Sequence, residues 1–385
     1  MNYFDANATT PLSAEAQDAW IASNEALWLN PSAPYRSARR VEAALASARA
    51  VVADHFDVDP QRIVFTSGAT EGNNACFAYR RRVDVDENAF VVTGATEHSS
   101  VSNAAQLHWS DKQHVILSCD QEGVPDLAAL QKVLEERSVA LCAVMAANNE
   151  TGVIAPWQAV AQLCQRSKVP YLCDASQWVG KMPLNDLSAC DFVTACGHKF
   201  GGPKGVGFML VPEAITDSLL FAGGGQEGGL RSGTEAVALV EAMVAALTES
   251  ETQRKTCEAM PNRFFEIVRT GCPEMIWVGQ GAERLRNTQM VIPPICKSER
   301  WVAQLERRGF LVGSGSACSS RNTSGSRVLR AMGYTQQQAE RAIRLSSLPQ
   351  TTAEAWCALG EAIVDTHRYL VADAKSGSAT VISID

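Results

Sequence analysis

No stretch of the 385 residues approaches the roughly 18 uninterrupted apolar residues of a membrane span. The opening residues, Met1-Asn2-Tyr3-Phe4-Asp5, lack the basic start and long apolar core of a secretory signal, so no export is expected. The twelve cysteines include no CxxC pair, which argues against a zinc framework and leads us to expect no metal. Positive charge is in deficit. Lys and Arg number 34 against 42 Asp and Glu, and the net charge of -8 disfavours direct nucleic-acid binding. Internal repeats and low-complexity tracts are also missing. What remains is a soluble globular composition, 46% hydrophobic and 20% charged. Cys142, Cys164 and Cys173 have apolar or helical neighbours and read as buried small hydrophobes, as expected in a reducing cytoplasm.

Short apolar runs alternate with helix-like segments. Strands are expected at 63–66, 90–93, 115–117, 139–146, 170–173, 192–194 and 206–211, with helices at 69–81, 99–109 and 157–167. This alternation implies an α/β protein whose large domain has a mostly parallel sheet flanked by helices, aminotransferase-like, with ligands at the carboxyl ends of the strands. A chain of this length calls for more than one core. We expect a large domain over 14–255, a smaller α+β domain made of 1–13 with 256–370, and a tail at 371–385. An Ala-rich helix over 235–269 is expected to link the domains. Further on, 287–293 and 310–312 suit strands, 298–308 a helix, and Thr351-Thr352-Ala353-Glu354 has the form of a capping box before a last helix towards Leu370.

Chemistry-bearing residues cluster at the ends of the expected strands. Lys199, in Cys196-Gly197-His198-Lys199-Phe200-Gly201-Gly202, has the glycine-lined setting that a Schiff-base cofactor needs, although an ordinary glycine turn also holds a lysine. Asp174 could pair with a protonated ring nitrogen or simply cap a helix. Ser67-Gly68-Ala69-Thr70-Glu71 opens a helix and suits either an anion or a plain cap. His98 ends another strand, where an imidazole can stack on a ring and move protons, or be merely structural. Cys318 sits in Gly313-Ser314-Gly315-Ser316-Ala317-Cys318-Ser319-Ser320, a small-residue run that suits a reachable nucleophilic thiol rather than a packed one.

These pieces occur in one order with Asp5-Ala6-Asn7-Ala8-Thr9-Thr10-Pro11, Asn30-Pro31-Ser32, Glu97-His98, Asn148-Asn149-Glu150-Thr151-Gly152-Val153, Gly223-Gly224-Gly225-Gln226-Glu227 and Leu230-Arg231-Ser232-Gly233-Thr234-Glu235. Over roughly residues 3 to 366 the chain resembles the pyridoxal-phosphate cysteine desulfurases, a branch of the class V aminotransferases of fold type I. The resemblance implies that Lys199 anchors pyridoxal 5'-phosphate and removes the substrate α-proton. It implies that Asp174 pairs with the pyridine nitrogen and that Gln177 and Asn149 bond near the ring hydroxyl, Asn149 also touching substrate. It places His98 on the ring and lines the phosphate with Ala69, Thr70, Cys196, Gly197 and His198. Thr234 would reach the phosphate of a second subunit, making a homodimer part of the site. Arg344 would grip the substrate carboxylate with its planar fork.

The implied reaction converts L-cysteine to L-alanine. A persulfide forms on Cys318 and passes to a sulfur-acceptor protein, a scaffold or sulfur carrier, for iron–sulfur cluster assembly or for thio-cofactor or tRNA thiolation. Selenocysteine lyase, class V transaminase and a non-catalytic scaffold subunit are the alternatives. Cys196 departs from the family pattern, standing where a serine usually meets the phosphate. A thiol is the weaker donor, which implies looser cofactor binding.

Overall fold

The computed structural model describes residues 2–83, 86–215, 221–255, 258–315 and 325–377. In chain order its strands are β1 (Asn2–Phe4), β2 (Ile63–Thr66), β3 (Phe90–Gly94), β4 (His114–Leu117), β5 (Val139–Ala143), β6 (Tyr171–Asp174), β7 (Phe192–Cys196), β8 (Gly207–Leu210), β9 (Ile276–Trp277), β10 (Thr288–Ile292), β11 (Phe310–Ser314) and β12 (Ile343–Ser346). Its helices are α1 (Ala14–Ala26), α2 (Ala38–Phe56), α3 (Ala69–Val83), α4 (Ser99–His108), α5 (Leu127–Glu136), α6 (Trp157–Ser167), α7 (Val237–Arg254), α8 (Asn262–Gly271), α9 (Ser298–Arg307), α10 (Arg327–Ala331), α11 (Gln336–Arg341) and α12 (Ala353–Gly377). The chain divides into a larger unit, Thr9–Asn149 with Ile154–Lys255, and a smaller one, Met1–Ala8, Glu150–Val153 and Thr256–Asp385.

The larger unit is built on a seven-stranded sheet in the order β2-β8-β7-β6-β5-β3-β4. Strands β4, β3, β5, β6 and β7 pair in parallel. Strand β8 runs against both β7 and β2, so β2 points the same way as the parallel set. The middle strands are apolar on both faces because helices cover both: Leu141, Cys142, Leu172, Cys173 and Val193 are all fully buried. Helix α3 supplies Ala75, Cys76 and Phe77 to this core, beside Phe192 and Met209.

The smaller unit holds a five-stranded sheet, β1-β11-β12-β10-β9, antiparallel apart from the β1–β11 pair. Its core is aromatic. Trp356 of α12 meets Phe4 at 4.8 Å and Phe264 at 5.0 Å between ring centroids, edge to face.

Two sequence expectations change. The single helix over 235–269 is two, α7 and α8, because Pro261 precedes α8 with an extended backbone and its ring cannot continue a helix entering from α7. The segment expected to begin the tail is instead helical: α12 runs on to Gly377 through the good helix formers Ala372, Ala374 and Lys375. Strand β5 ends at Ala143. The chain beyond it still tracks β6 through Val144 N–H to Leu172 O at 3.2 Å and Ala146 N–H to Asp174 O at 3.0 Å.

After β8 the chain is pinned by an ion pair at Glu227. Arg49 of α2 donates to both oxygens of Glu227, each at 2.7 Å, and Glu227 also accepts the Phe65 N–H at 2.8 Å. Glu227 has φ of +51°, an unfavourable conformation for a residue with a side chain, and these bonds hold it there. Its side chain is 2% exposed. Replacing Arg49 by Leu strands that carboxylate and is expected to lower stability by about 3 kcal/mol in urea unfolding, with Glu227→Gln in the same chain restoring part of the loss. An unchanged unfolding midpoint in Arg49→Leu would contradict this role.

Candidate active site

Because β2, β3, β5, β6 and β7 all point one way, their carboxyl ends share one edge of the larger unit. Thr66 ends β2, Gly94 ends β3, Asp174 ends β6 and Cys196 ends β7. Gly207 at the start of β8 lies between the β2 and β7 ends. A Cβ there would sit 2.7 Å from the Gly68 Cα and against the Ala195 carbonyl, so its missing side chain lets the two turns close over β8.

The turn after β2 is itself held. Gly68 has φ of +147°, and the Thr66 hydroxyl bridges its N–H and carbonyl at 3.2 Å each. Glu71 accepts the Ser67 N–H at 2.8 Å and pairs with Arg231 at 2.8 Å. Burial alone would raise the Glu71 carboxyl, but the hydrogen bonds from Arg231 and Ser67 outweigh it and hold the group below its ordinary range. Helix α3 begins immediately after, and the N–H groups of its first turn have no partners within the helix.

After β7, Gly197–Lys199 forms a single tight turn. The loop folds back through Gly202 N–H to Gly197 O at 2.9 Å and Gly197 N–H to Val206 O at 3.0 Å. Neither Gly197 nor Gly202 has room for a Cβ without crowding backbone at about 3.0 Å. The Cys196 sulfur faces the Ala69 N–H and the Ser176 hydroxyl, with Lys199 and Asp174 close enough to act on it electrostatically. Burial dominates and pushes the thiol up to about 11, so it is present as S–H. His198 is pushed down to about 4, first by burial and then by Lys199 and Lys204, and is therefore neutral. Its Nδ1 lies 3.2 Å from the Thr9 hydroxyl.

Asp174 is 5% exposed and held on both oxygens. Ser176 N–H donates to Oδ1 at 2.9 Å and Asn73 Nδ2 to Oδ2 at 3.0 Å. Gln177 is buried, and its Oε1 accepts from Lys181, which turns the amide nitrogen the other way. His98 caps α4, its Nδ1 accepting the Ser100 N–H at 3.2 Å. Beside it Glu97 accepts the Met145 N–H at 2.8 Å, tying the turn after β3 to the chain after β5, the segment that ends at Asn149.

The sequence profile described as aminotransferase class-V matches residues 2–355. A protein of Trichormus variabilis, "Cysteine desulfurase 2", is 33% identical over 355 residues, covering 91% of this chain and 89% of its own. A solved NifS-like protein superposes with a TM-score of 0.85 at 27% identity, over 96% of this chain and 99% of its own. The structure titled "SspA in complex with cysteine" superposes with a TM-score of 0.79 at 25% identity, over 91% and 100%. The chain belongs to the cysteine desulfurase family of class V aminotransferases. Enzymes of this family generally depend on pyridoxal phosphate.

For a desulfurase, the larger unit gathers Ala69, Thr70, Asp174, Cys196, Gly197, His198 and Lys199 at one sheet edge, with His98, Asn149 and Gln177 on neighbouring turns. Thr234 lies exposed beyond Gly233, whose φ is +111°. Arg344 belongs to the smaller unit. It sits on β12, buried, with Nη2 donating to Asp5 Oδ1 at 2.7 Å, and Gly313 opposite has no room for a Cβ against Asp5. Cys318 lies outside the described residues.

Sequence reading missed Asn73, Ser100, Ser176 and Lys181, which fix Asp174, Cys196, His98 and Gln177, and it gave Asp5 no pairing with Arg344. Their polar side chains beside motif positions were the available signal.

The neutral His198 has a measurable consequence. An unfolded histidine takes up its proton near 6.5, whereas His198 in the fold does so near 4. Between these values the unfolded state binds more protons, so the His198 contribution to stability falls as pH falls and levels off below about 4. The stability difference between the parent chain and His198→Gln is expected to shrink on going from pH 7 to pH 5. A difference constant over that range in urea titrations would refute the assignment.

Proposed function

We propose that this chain is a pyridoxal-phosphate-dependent cysteine desulfurase that converts L-cysteine to L-alanine and loads the sulfur onto Cys318. The observation that carries the reading is the sheet edge where Cys196, Ala69, Ser176, Lys199 and Asp174 converge, in a chain of this family. These residues fit the cofactor. The first turn of α3 with Ala69 and Thr70, and the Cys196–His198 turn, offer N–H and S–H donors suited to a phosphate, and Asp174 offers a carboxylate already steadied on both oxygens. When bound, pyridoxal phosphate supplies an electron sink for the electron pair left at the substrate α-carbon.

Lys199 takes the α-proton. Asp174 would hold a proton on the ring nitrogen by pairing with it, and Gln177, whose Oε1 accepts from Lys181, would have its amide N–H groups left to offer to the ring oxygen. Asn149 completes that side, and Arg344, steadied by Asp5, orients the substrate carboxylate. The Cys318 thiolate then attacks the substrate sulfur. A sulfur–sulfur bond forms as the substrate Cβ–S bond breaks, the bonding pair passes to the carbon skeleton, and protonation there gives L-alanine. Cys318 is left as a persulfide for an acceptor protein, a scaffold or sulfur carrier. The setting we propose is the cytoplasm, and the assembly a homodimer to whose partner Thr234 is offered.

Full-length protein given pyridoxal phosphate and L-cysteine is expected to yield alanine and, with a thiol reductant, sulfide. Cys318→Ala should lose both, and undiminished sulfur release would remove Cys318 from the mechanism. Selenocysteine in place of cysteine measures substrate preference in the same assay. Lys199→Ala is expected to lose the visible absorption of the bound cofactor. Cys196→Ser should hold the cofactor about fivefold more tightly, the worth of about 1 kcal/mol from a better donor, and a weaker affinity on equilibrium dialysis would reject the phosphate contact.

A further inference from the structure

The chain leaving α8 carries a Cys-x-Glu pair, Cys272 and Glu274, and the fold brings His367 of α12 to it. A glycine sets the approach. Gly271 closes the end of α8 against α12, where a Cβ would stand 2.3 Å from a Val364 methyl group. His367 follows Val364 by just under one helical turn. One donor atom from each of the three side chains lies within 4.8 Å of the other two, and all three residues belong to the smaller unit.

The three side chains meet at the rim of a core. Cys272 is fully buried in the apolar cluster that holds Phe264, Trp301 and Ile363. Burial, and then the Glu274 charge, push its thiol up to about 11, against the Met275 N–H, which faces the sulfur and favours the thiolate. The half-buried His367 ring lies 15° from parallel to that of Trp301 on α9, with centroids 6.4 Å apart. Glu274 is exposed and opens the cluster to solvent. A thiolate and a carboxylate repel each other across an apolar wall, and a cation between them turns both charges into attractions.

The donor set selects the ion. Sulfur and imidazole suit zinc, whereas calcium and magnesium take oxygen. Around a tetrahedral zinc with bonds of about 2.0–2.3 Å, donor atoms stand about 3.3–3.7 Å apart, so ligation needs a closure of at most about 1.5 Å. The exposed Glu274 side chain is placed to supply it. We propose that Cys272, Glu274 and His367 form a zinc site that clamps the end of α8 to α12, with water in the fourth position. On binding, the Sγ–H bond gives way to a sulfur–zinc bond and the proton leaves to solvent, with no electron exchanged. The site shares no residue with the proposed desulfurase centre and does not rest on that reading. Its sequence signature is faint because the third ligand comes from a distant helix rather than from a second cysteine nearby.

The test uses the full-length chain carrying Cys318→Ala and loaded with pyridoxal phosphate, under a phosphine reductant. This host lacks the thiol of the proposed persulfide, so the result is read without turnover. Calorimetric titration with zinc chloride is expected to show a single ion per chain, and zinc-edge X-ray absorption a single sulfur beside nitrogen and oxygen. Cys272→Ala in the host should lose the sulfur signal. Glu274→Gln and His367→Gln, at exposed and half-buried positions, keep the test open if the buried substitution unfolds the chain. Each should weaken zinc binding at least about tenfold, since even outer-shell partners of a metal are worth about 10–100-fold. Zinc is expected to raise the thermal unfolding midpoint of the host well beyond that of His367→Gln. No zinc bound, or a shell without sulfur, would overturn the proposal. So would host affinity in both Glu274→Gln and His367→Gln, which marks an adventitious ion only.

Discussion

Everything at the candidate site depends on two turns meeting above a strand that separates them. Strand β8 runs between β2 and β7, and a side chain at its first residue would wedge the turns apart. Gly207 removes that wedge, and Gly68 takes a backbone angle few other residues accept. The start of α3 can then stand beside Cys196, so that the Ala69 N–H meets the Cys196 sulfur. The reversed strand is thus a spacer whose width is set by one missing methyl group.

Around this closure the larger unit spends charge on backbone control. Glu227 fixes its own left-handed conformation through Arg49 and reaches the Phe65 N–H on β2. Glu71 reaches the Ser67 N–H while holding Arg231, three residues before Thr234. Both carboxylates lie within the same few turns, each with an arginine fork on one side and a backbone amide on the other. Such pairs gain from low local dielectric because neither partner is left unsatisfied.

Much of this was legible in the sequence. The alternation of strands and helices, and the positions of Asp174, Lys199 and Ala69 at strand ends, follow from apolar runs and glycine-marked turns, which are local signals. The helix break at Pro261 was local too, but the Ala-rich pattern on its amino-terminal side outweighed a single proline. Asn73 was illegible for a different reason. Its partners Ser100 and Asp174 lie 27 and 101 residues away, and nothing near Asn73 in sequence announces them. Asp5 and Arg344, 339 residues apart, are the same case in the smaller unit. Long-range hydrogen bonds between ordinary polar residues leave no periodicity to read.

The buried cysteines carry a consequence for the chemistry itself. An enzyme that makes a persulfide must keep the sulfur from migrating to its own other thiols, since a thiolate accepts sulfane sulfur readily and a thiol does not. Cys76 is driven well up by burial, and Cys142 and Cys190 by hydrogen bonds to Cys164 and Cys173 and then by burial. Cys196 and Cys272 are each held at about 11. In the desulfurase we propose, these thiols would be poor sulfur acceptors, and a persulfide on Cys318 would have fewer places within the chain to lose its sulfur.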